Sequence, residues 1–237
     1  MERWQLRPAA DLGLSLRQQL LSLRRECGLL GTAGHLLWQA TVRAYLAAFH
    51  RLAVEGRAGL PAEPPFVIVA NHTSHLDALV LASVLPLRWR DRIFPIAAAD
   101  TFFTGLPQAG FAVAALNALP LRRRRAGAEH LAQLRLRLTQ EGAIFILFPE
   151  GTRSRTGAMA DFRAGLGPLV AGSPVPAVPC HIEGAFAALP PHHRLPRPRR
   201  LRLRIGAPLG FAATANDKVG WAEIAARTQA AVEALDR

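Results

Sequence analysis

The 237-residue chain is long enough for one well-buried domain with a small helical appendage, and it shows no second independent domain, internal repeat or low-complexity linker. Its 29 Lys and Arg against 17 Asp and Glu give a net charge of +12, a field that draws anionic lipid, an acidic carrier protein or nucleic acid. A hydrophobic fraction of 50%, without Lys-rich tails or interleaved aromatics, disfavours nucleic acid and leaves an anionic membrane as the better partner.

The first residues, with Glu2, Arg3 and Arg7 before Pro8, lack the apolar core and small-residue cleavage site of a secretory leader, so a cytoplasmic location is expected. Cys27 and Cys180 lie far apart and support neither a disulfide framework nor a zinc site. Residues 13–52 predict two helices broken near Gly28 to Gly34. Leu14, Leu20 and Leu21 with Arg17, Arg24 and Arg25 make the first amphipathic and basic. The second, over about 32–52, carries Leu36, Leu37, Trp38, Val42, Tyr45, Leu46 and Phe49 with Arg43, and lacks the ~20 unbroken apolar residues of a membrane span. Two readings stand for this pair: helices lying in the headgroup plane of a membrane, or a cover for the sheet. Residues 1–52 are accordingly set apart as an N-terminal helical segment, membrane-interfacial on the first reading, from a main domain over 53–237.

A loop with Gly56, Gly59 and Pro61 leads to Phe66–Ala70, an apolar run after Pro64 and Pro65 that predicts a strand buried on both faces. It ends abruptly in Asn71-His72-Thr73-Ser74-His75-Leu76-Asp77. Ser74 and Asp77 have the S-x-x-D spacing of a capped helix start, so a helix is expected from Ser74 to about Leu85, stopped by Pro86, with His72 on the turn before it. Residues five apart splay on a continuous helix. With the helix starting between them, Asp77 can reach back to the His72 imidazole, set its tautomer and raise its basicity. Such a pair is a general base with its orienting acid and no serine, so the nucleophile comes from the substrate. A plain helix cap beside a turn histidine is the alternative for this motif alone. His75 lies three residues from His72, but no third metal ligand is evident.

Arg88, Arg90, Asp91 and Arg92 predict an exposed basic turn, Ile93–Ala99 a strand, and Val113–Leu121 a further strand ending in Arg122–Arg125, four arginines that cannot all face a core. Glu129–Gln140 predicts an amphipathic helix with Leu131, Leu134 and Leu138 on one stripe and Arg135 and Arg137 off it. Gly142–Phe148 is a second buried strand running into Pro149-Glu150-Gly151-Thr152-Arg153-Ser154. Two strands that end in polar loops place a ligand at the carboxyl ends of a parallel sheet. Gly151 allows close backbone approach and Arg153 offers a planar fork of donors suited to phosphate. Glu150 would orient that arginine or bind hydroxyls, with a salt-bridged turn as the alternative. Residues 162–171 predict a short helix around Pro168, and 176–182 a strand whose Pro179 suits an edge or strand start. Residues 190–200 form a rigid basic loop and 201–205 a half-exposed strand whose arginines add a cationic face. A last helix, capped by Asn216 or Asp217, turns Trp221, Ile224, Thr228, Val232 and Leu235 to the core.

The two polar motifs, at 71–77 and 148–154 and in this order, resemble the signatures of the glycerolipid acyltransferases, the lysophosphatidic acid acyltransferase family in particular. Weaker likenesses are Leu119-Pro120-Leu121-Arg122-Arg123 and Val175-Pro176-Ala177-Val178-Pro179, so the resemblance covers roughly residues 50 to 210. It implies an α/β fold with a mixed, largely parallel central sheet flanked by helices and an N-terminal amphipathic helix pair, and makes 53–237 the acyltransferase domain. It further implies transfer of a fatty acyl group from acyl-CoA or an acyl carrier protein to the free hydroxyl of a lysophospholipid, 1-acylglycerol 3-phosphate above others. On the resemblance His72 and Asp77 are catalytic, and Arg123, Glu150, Gly151, Thr152, Arg153 and Pro179 bind substrate. Asn117 stands where a glycine is usual, which leaves the register between Arg122 and Arg123 open. The apolar stretch 101–111, with Phe102, Phe103 and Leu106, is then core or the wall of an acyl-chain groove.

No motif for a metal or redox cofactor is present, and no nucleic-acid partner is expected. The protein is placed as a peripheral one on the cytoplasmic face of the cell membrane. Two other classes fit the sequence less well. A serine lipid hydrolase would use Ser74 or Ser154, neither of which sits in a G-x-S-x-G elbow. A non-catalytic basic protein would bind membrane or nucleic acid by charge alone, without any helix-turn-helix or zinc-finger spacing.

Overall fold

The computed structural model describes residues 13–22, 29–98, 113, 117–121 and 128–236. Helices α1 (Leu16–Leu21) and α2 (Leu29–His50) precede strand β1 (Ala53–Glu55), β2 (Phe66–Ala70), α3 (Asp77–Ser83), β3 (Ile93–Ala98) and β4 (Leu119–Leu121). Then come α4 (Ala128–Gln140), β5 (Ile144–Leu147), α5 (Gly167–Val170), β6 (Ala177–Glu183), α6 (Ala185–Ala188), β7 (Arg202–Ile205) and α7 (Lys218–Glu233). The described strands form one sheet in the order β1-β7-β6-β2-β5-β3-β4. Every neighbouring pair is parallel except β6 and β7, which makes the sheet mixed and largely parallel, as expected.

Strand β2 sits between β5 and β6, and all five of its residues have 0% accessibility. A strand covered on both faces needs no polar alternation, which is why Phe66–Ala70 is uniformly apolar. Its side chains alternate between two cores. Phe66, Ile68 and Ala70 join Val42 and Leu46 of α2, Leu81 of α3, and Leu85 and Trp89 beyond it. Val67 and Val69 join Leu134 and Leu138 of α4 and Ile224 and Val232 of α7. Each buried Val, Leu, Ile or Phe among them contributes roughly 1.5–3 kcal/mol relative to an exposed position.

Several elements differ from expectation. Helix α3 starts at Asp77 with Leu76 at its N-cap, and Ser74 is not the cap: two residues, His75 and Leu76, separate the serine from the helix. The glycine-containing loop after α2 contains β1, which pairs along β7 through Ala53–Arg202 to Glu55–Arg204. Val113 is helical and the predicted strand shrinks to β4, because Asn117 takes a φ of +50° that interrupts extended backbone. Arg137 is 9% accessible rather than solvated: its guanidinium lies 4.0 Å from the Phe94 ring centre and its Nε 3.6 Å from Glu141. Arg135 donates to the carbonyls of Pro168 and Ala171 and so ties α4 to α5. Arg202 and Arg204 add little cationic face, since both pair with Glu55 and Glu183.

Pro179 lies inside the sheet, opposite Val69 of β2, and not at an edge or strand start. Its carbonyl points toward β7, where it accepts from Gly206 N at 2.8 Å, and its nitrogen faces the same side. Ladder pairing with β7 begins only at Cys180, so the missing N–H leaves no partner stranded. Cys180 is buried, which pushes its thiol pKa up and keeps it inert. Asp217, not Asn216, caps α7 by accepting from Gly220 N at 2.8 Å, while Asn216 accepts from Trp221 Nε1 at 2.7 Å. The predicted stretch 101–111 and Arg122–Arg125, Arg123 included, lie outside the described residues.

Candidate active site

Strands β2 and β5 run parallel in register, with Val69 beside Leu147, so the loops that follow them emerge at one level. Asn71 keeps β2 tied to β6 beyond its last strand residue: Nδ2 donates to Ile182 O at 3.0 Å, and Oδ1 accepts from Ile182 N at 2.8 Å. The next residue, His72, is stitched to the β5 loop through its backbone. Its N–H donates to Glu150 Oε1 at 2.6 Å, and its carbonyl accepts from Ser154 N at 2.8 Å.

Asp77 has 0% accessibility, and its Oδ2 accepts three hydrogen bonds: from His72 Nδ1 at 2.9 Å, Thr73 N at 2.8 Å and Ser74 N at 2.8 Å. The carboxylate therefore caps the turn in front of its own helix and holds the imidazole in the same grip. A carboxylate only accepts, so Nδ1 carries the proton and Nε2 is left with its lone pair for an incoming group. The ring stacks on Phe148, centroids 4.1 Å apart and planes at 15°, and its side chain keeps 17% accessibility. His72 is thus fixed on two sides and open on a third.

Glu150 is turned to backbone donors. It is 3% accessible, and while Oε1 holds His72 N, Oε2 accepts from Ala160 N at 3.0 Å. Burial raises its pKa, opposed by those two backbone bonds. Glu150 thus braces the backbone of His72. Gly151 closes the turn at φ +76°, donating to Phe148 O at 3.0 Å, a left-handed conformation that a side chain would strain. Thr152 is exposed beside it.

Arg153 is half-buried with Nη1 against both imidazole nitrogens of His75, Nε2 at 2.7 Å. Burial lowers the pKa of Arg153, and the nearby Asp77 carboxylate opposes that shift. His75 has its pKa lowered by burial and then by the Arg153 charge, so it stays neutral and accepts from the arginine. Nothing in the sequence assigns a role to His75, Phe148 or Asn71. The only local signal for His75 was its place inside the same motif.

The serines are engaged elsewhere. Ser74 has 0% accessibility, donates to Leu189 O at 2.8 Å and accepts from Leu76 N at 3.1 Å. Ser154 Oγ accepts from Gly157 N at 3.0 Å and Thr156 N at 3.3 Å, a turn brace. No cluster of three metal-ligating side chains occurs among the described residues.

The fold and the site together define an α/β protein in which two parallel strands end in loops that bring an imidazole, a buried carboxylate and a half-buried arginine together. The Acyltransferase family model matches residues 51–183, more than half of the chain, and this protein belongs to that family. It is 35% identical over 134 residues to the 1-acyl-sn-glycerol-3-phosphate acyltransferase alpha of Mus musculus, covering 54% of this chain and 44% of that protein. It is 31% identical over 157 residues to a chloroplastic 1-acyl-sn-glycerol-3-phosphate acyltransferase of Arabidopsis thaliana, covering 65% of this chain and 41% of that one. The matches thus span less than half the length of these curated relatives. In fold the chain is similar to the crystal structure of the 1-acyl-sn-glycerophosphate acyltransferase PlsC from Thermotoga maritima: TM-score 0.64, 23% identity, 86% of this chain and 78% of that one.

Proposed function

We propose that this protein transfers a fatty acyl group from an acyl thioester, acyl-CoA or acyl carrier protein, to the free hydroxyl of 1-acylglycerol 3-phosphate, giving phosphatidic acid. The observation that carries the reading is the single Asp77 oxygen that receives both the His72 Nδ1 proton and two buried backbone N–H groups. His72 Nε2 takes the hydroxyl proton as the acceptor oxygen attacks the thioester carbonyl, and Asp77 offsets the imidazolium charge that develops. Collapse of the tetrahedral intermediate breaks the carbon–sulfur bond, and the imidazolium returns the proton to the leaving thiolate. No acyl-enzyme forms.

Arg153, held by the neutral His75, supplies planar donors for the acceptor's phosphate, with Arg123 as a second cation and Gly151 and Thr152 as the backbone floor. Glu150 acts as a positioning residue through the His72 N–H. The acceptor is an amphiphile drawn from a bilayer, and a basic chain working at the cytoplasmic face of an anionic membrane suits it. No helix among the described residues is long and apolar enough to cross a membrane.

The deciding experiment incubates purified protein with a labelled acyl thioester and a panel of lysolipids and resolves the products. Labelled phosphatidic acid that disappears with His72→Ala is expected. Release of free fatty acid without an acceptor, or undiminished transfer by the variant, overturns the mechanism.

A further inference from the structure

A cavity of about 440 Å³ opens at the C-terminal end of α3, between α2 and the chain around β1. Its walls are apolar, with Ala47, Leu52, Val54 and Pro86 among them, and two guanidiniums, Arg43 and Arg57, line it. Arg43 Nη2 donates to Leu85 O and Arg57 Nη1 to Val84 O at 3.3 Å, so both fasten onto backbone carbonyls just past the end of α3. Among the described residues neither is held by a carboxylate, in contrast to Arg202 and Arg204. Arg43 Nε is buried without a hydrogen-bond partner. Burial first, and then the charge of Arg57, lower the pKa of Arg43. Two like charges sharing a partly desolvated cleft repel, and a bound anion relieves that repulsion.

The rim of this cavity is unusual for a surface helix. From Ala33 to Phe49 every exposed position of α2 is uncharged, including Leu37 at 71% and Phe49 at 40% accessibility. Even the Thr41 hydroxyl is engaged by the helix backbone, donating to Leu37 O at 2.9 Å. Helices that face water carry charges on that side. Ala47 belongs both to this face and to the cavity wall, so the cationic cleft opens directly onto the apolar strip.

We infer that Arg43 and Arg57 form a binding site for the phosphate of an anionic glycerophospholipid whose acyl chains run along the uncharged face of α2. This lipid is not the acyl acceptor. The cavity lies at the C-terminal end of α3 and the His72–Asp77 pair at its N-terminal end, a helix of seven residues or roughly 10 Å apart. The inference rests on the membrane reading above and adds a lipid site, separate from the reaction, that orients the protein on the bilayer.

Sedimentation of the full chain with vesicles of phosphatidylcholine alone, and with phosphatidylglycerol added, tests it at constant ionic strength. R43Q/R57Q is expected to lower partitioning onto the anionic vesicles by about thirtyfold, and R57Q alone by about fivefold, since each basic group near such a surface contributes about that much. R57Q keeps the test open if loss of Arg43 unfolds the end of α3. The charge-matched pair R199Q/R200Q, in the exposed loop before β7, is expected to bind nearly as the parent does. An equal loss in that pair overturns the site in favour of the diffuse field. Thermal stabilisation of the parent by inorganic phosphate with no preference between vesicles overturns the lipid assignment in favour of a soluble anion. A parent that binds neither vesicle defeats this site and the membrane reading together, while acyl transfer to a detergent-dispersed acceptor still reports on the catalytic reading alone.

Discussion

Replacing Asp77 separates two roles that one oxygen performs. In Asp77→Ala the Thr73 and Ser74 N–H groups, on residues 3% and 0% accessible, lose their acceptor. A buried donor left unsatisfied costs about 1–3 kcal/mol, so the two together cost about 2–6 kcal/mol. Against a domain stability of about 5–15 kcal/mol that is a large fraction. His72→Ala leaves both backbone bonds to Asp77 in place and removes only the imidazole bond and the Phe148 stack, a loss of about 1–2 kcal/mol. Both variants lose proton transfer and should slow turnover by about 10²–10⁴. The expected pattern is similar activity loss with stabilities that differ by about 2 kcal/mol or more. Urea unfolding followed by circular dichroism gives the second quantity, and the initial rate of thiol release with saturating acceptor the first. Asp77→Asn sharpens the comparison, because its amide oxygen can keep the two backbone bonds while the charge behind the imidazole is gone. It should recover most of the stability and little of the rate. If the alanine variants at 72 and 77 unfold at the same urea concentration, the carboxylate is not a backbone anchor and this account of the loop fails.

Glu150→Gln leaves one amide oxygen for two backbone donors, so either His72 N or Ala160 N loses its acceptor; kcat should fall with acceptor KM nearly unchanged, whereas a raised KM at constant kcat would restore a direct binding role. Arg153→Ala should raise the acceptor KM by roughly tenfold or more, as loss of a charge-assisted bond made in both ground and transition states does, and an unchanged KM rejects the phosphate contact. Stability should also depend on the buried His50, whose Nδ1 faces Arg199 O at 3.0 Å and whose Nε2 faces the Tyr45 hydroxyl at 2.9 Å. Burial lowers its pKa, so the folded state prefers the neutral ring. Its contribution is then complete above the unfolded value of about 6.5 and is lost as pH falls from there through the lower folded pKa. His75 and His181 are lowered in the same direction, so His50→Gln should reduce, not abolish, the fall in urea midpoint between neutral and mildly acidic pH; an unchanged slope counts against it.

What was legible in the chain itself was whatever short-range chemistry writes there. Strands β2 and β5 are covered on both faces, so burial forces continuous apolar runs that no exposed segment could tolerate. The His72–Asp77 contact spans five residues, and a turn followed by a helix suffices to close it. The family resemblance lies in these same two motifs, which the Acyltransferase match includes.

Tertiary structure alone decided which groups from distant segments meet. Glu150 is a spacer for the His72 backbone only because β2 and β5 pair in register across a separation of 78 residues, and a buried carboxylate takes the nearest donors available. Arg137 looks solvated on a helical wheel, yet the Phe94 ring and Glu141 give its stem and charge a place at the core's edge. Pro179 occupies the middle of a sheet because the neighbouring chain is irregular beside its nitrogen, between the Cys180–Ile205 pair and the Ala177–Leu209 bridge. Arg202 and Arg204 lose their outward field to Glu55 and Glu183 on the flanking strands. Local sequence records each residue's preference for apolar or aqueous surroundings, but a partner's identity depends on strand order and register, and those follow from how the whole chain packs.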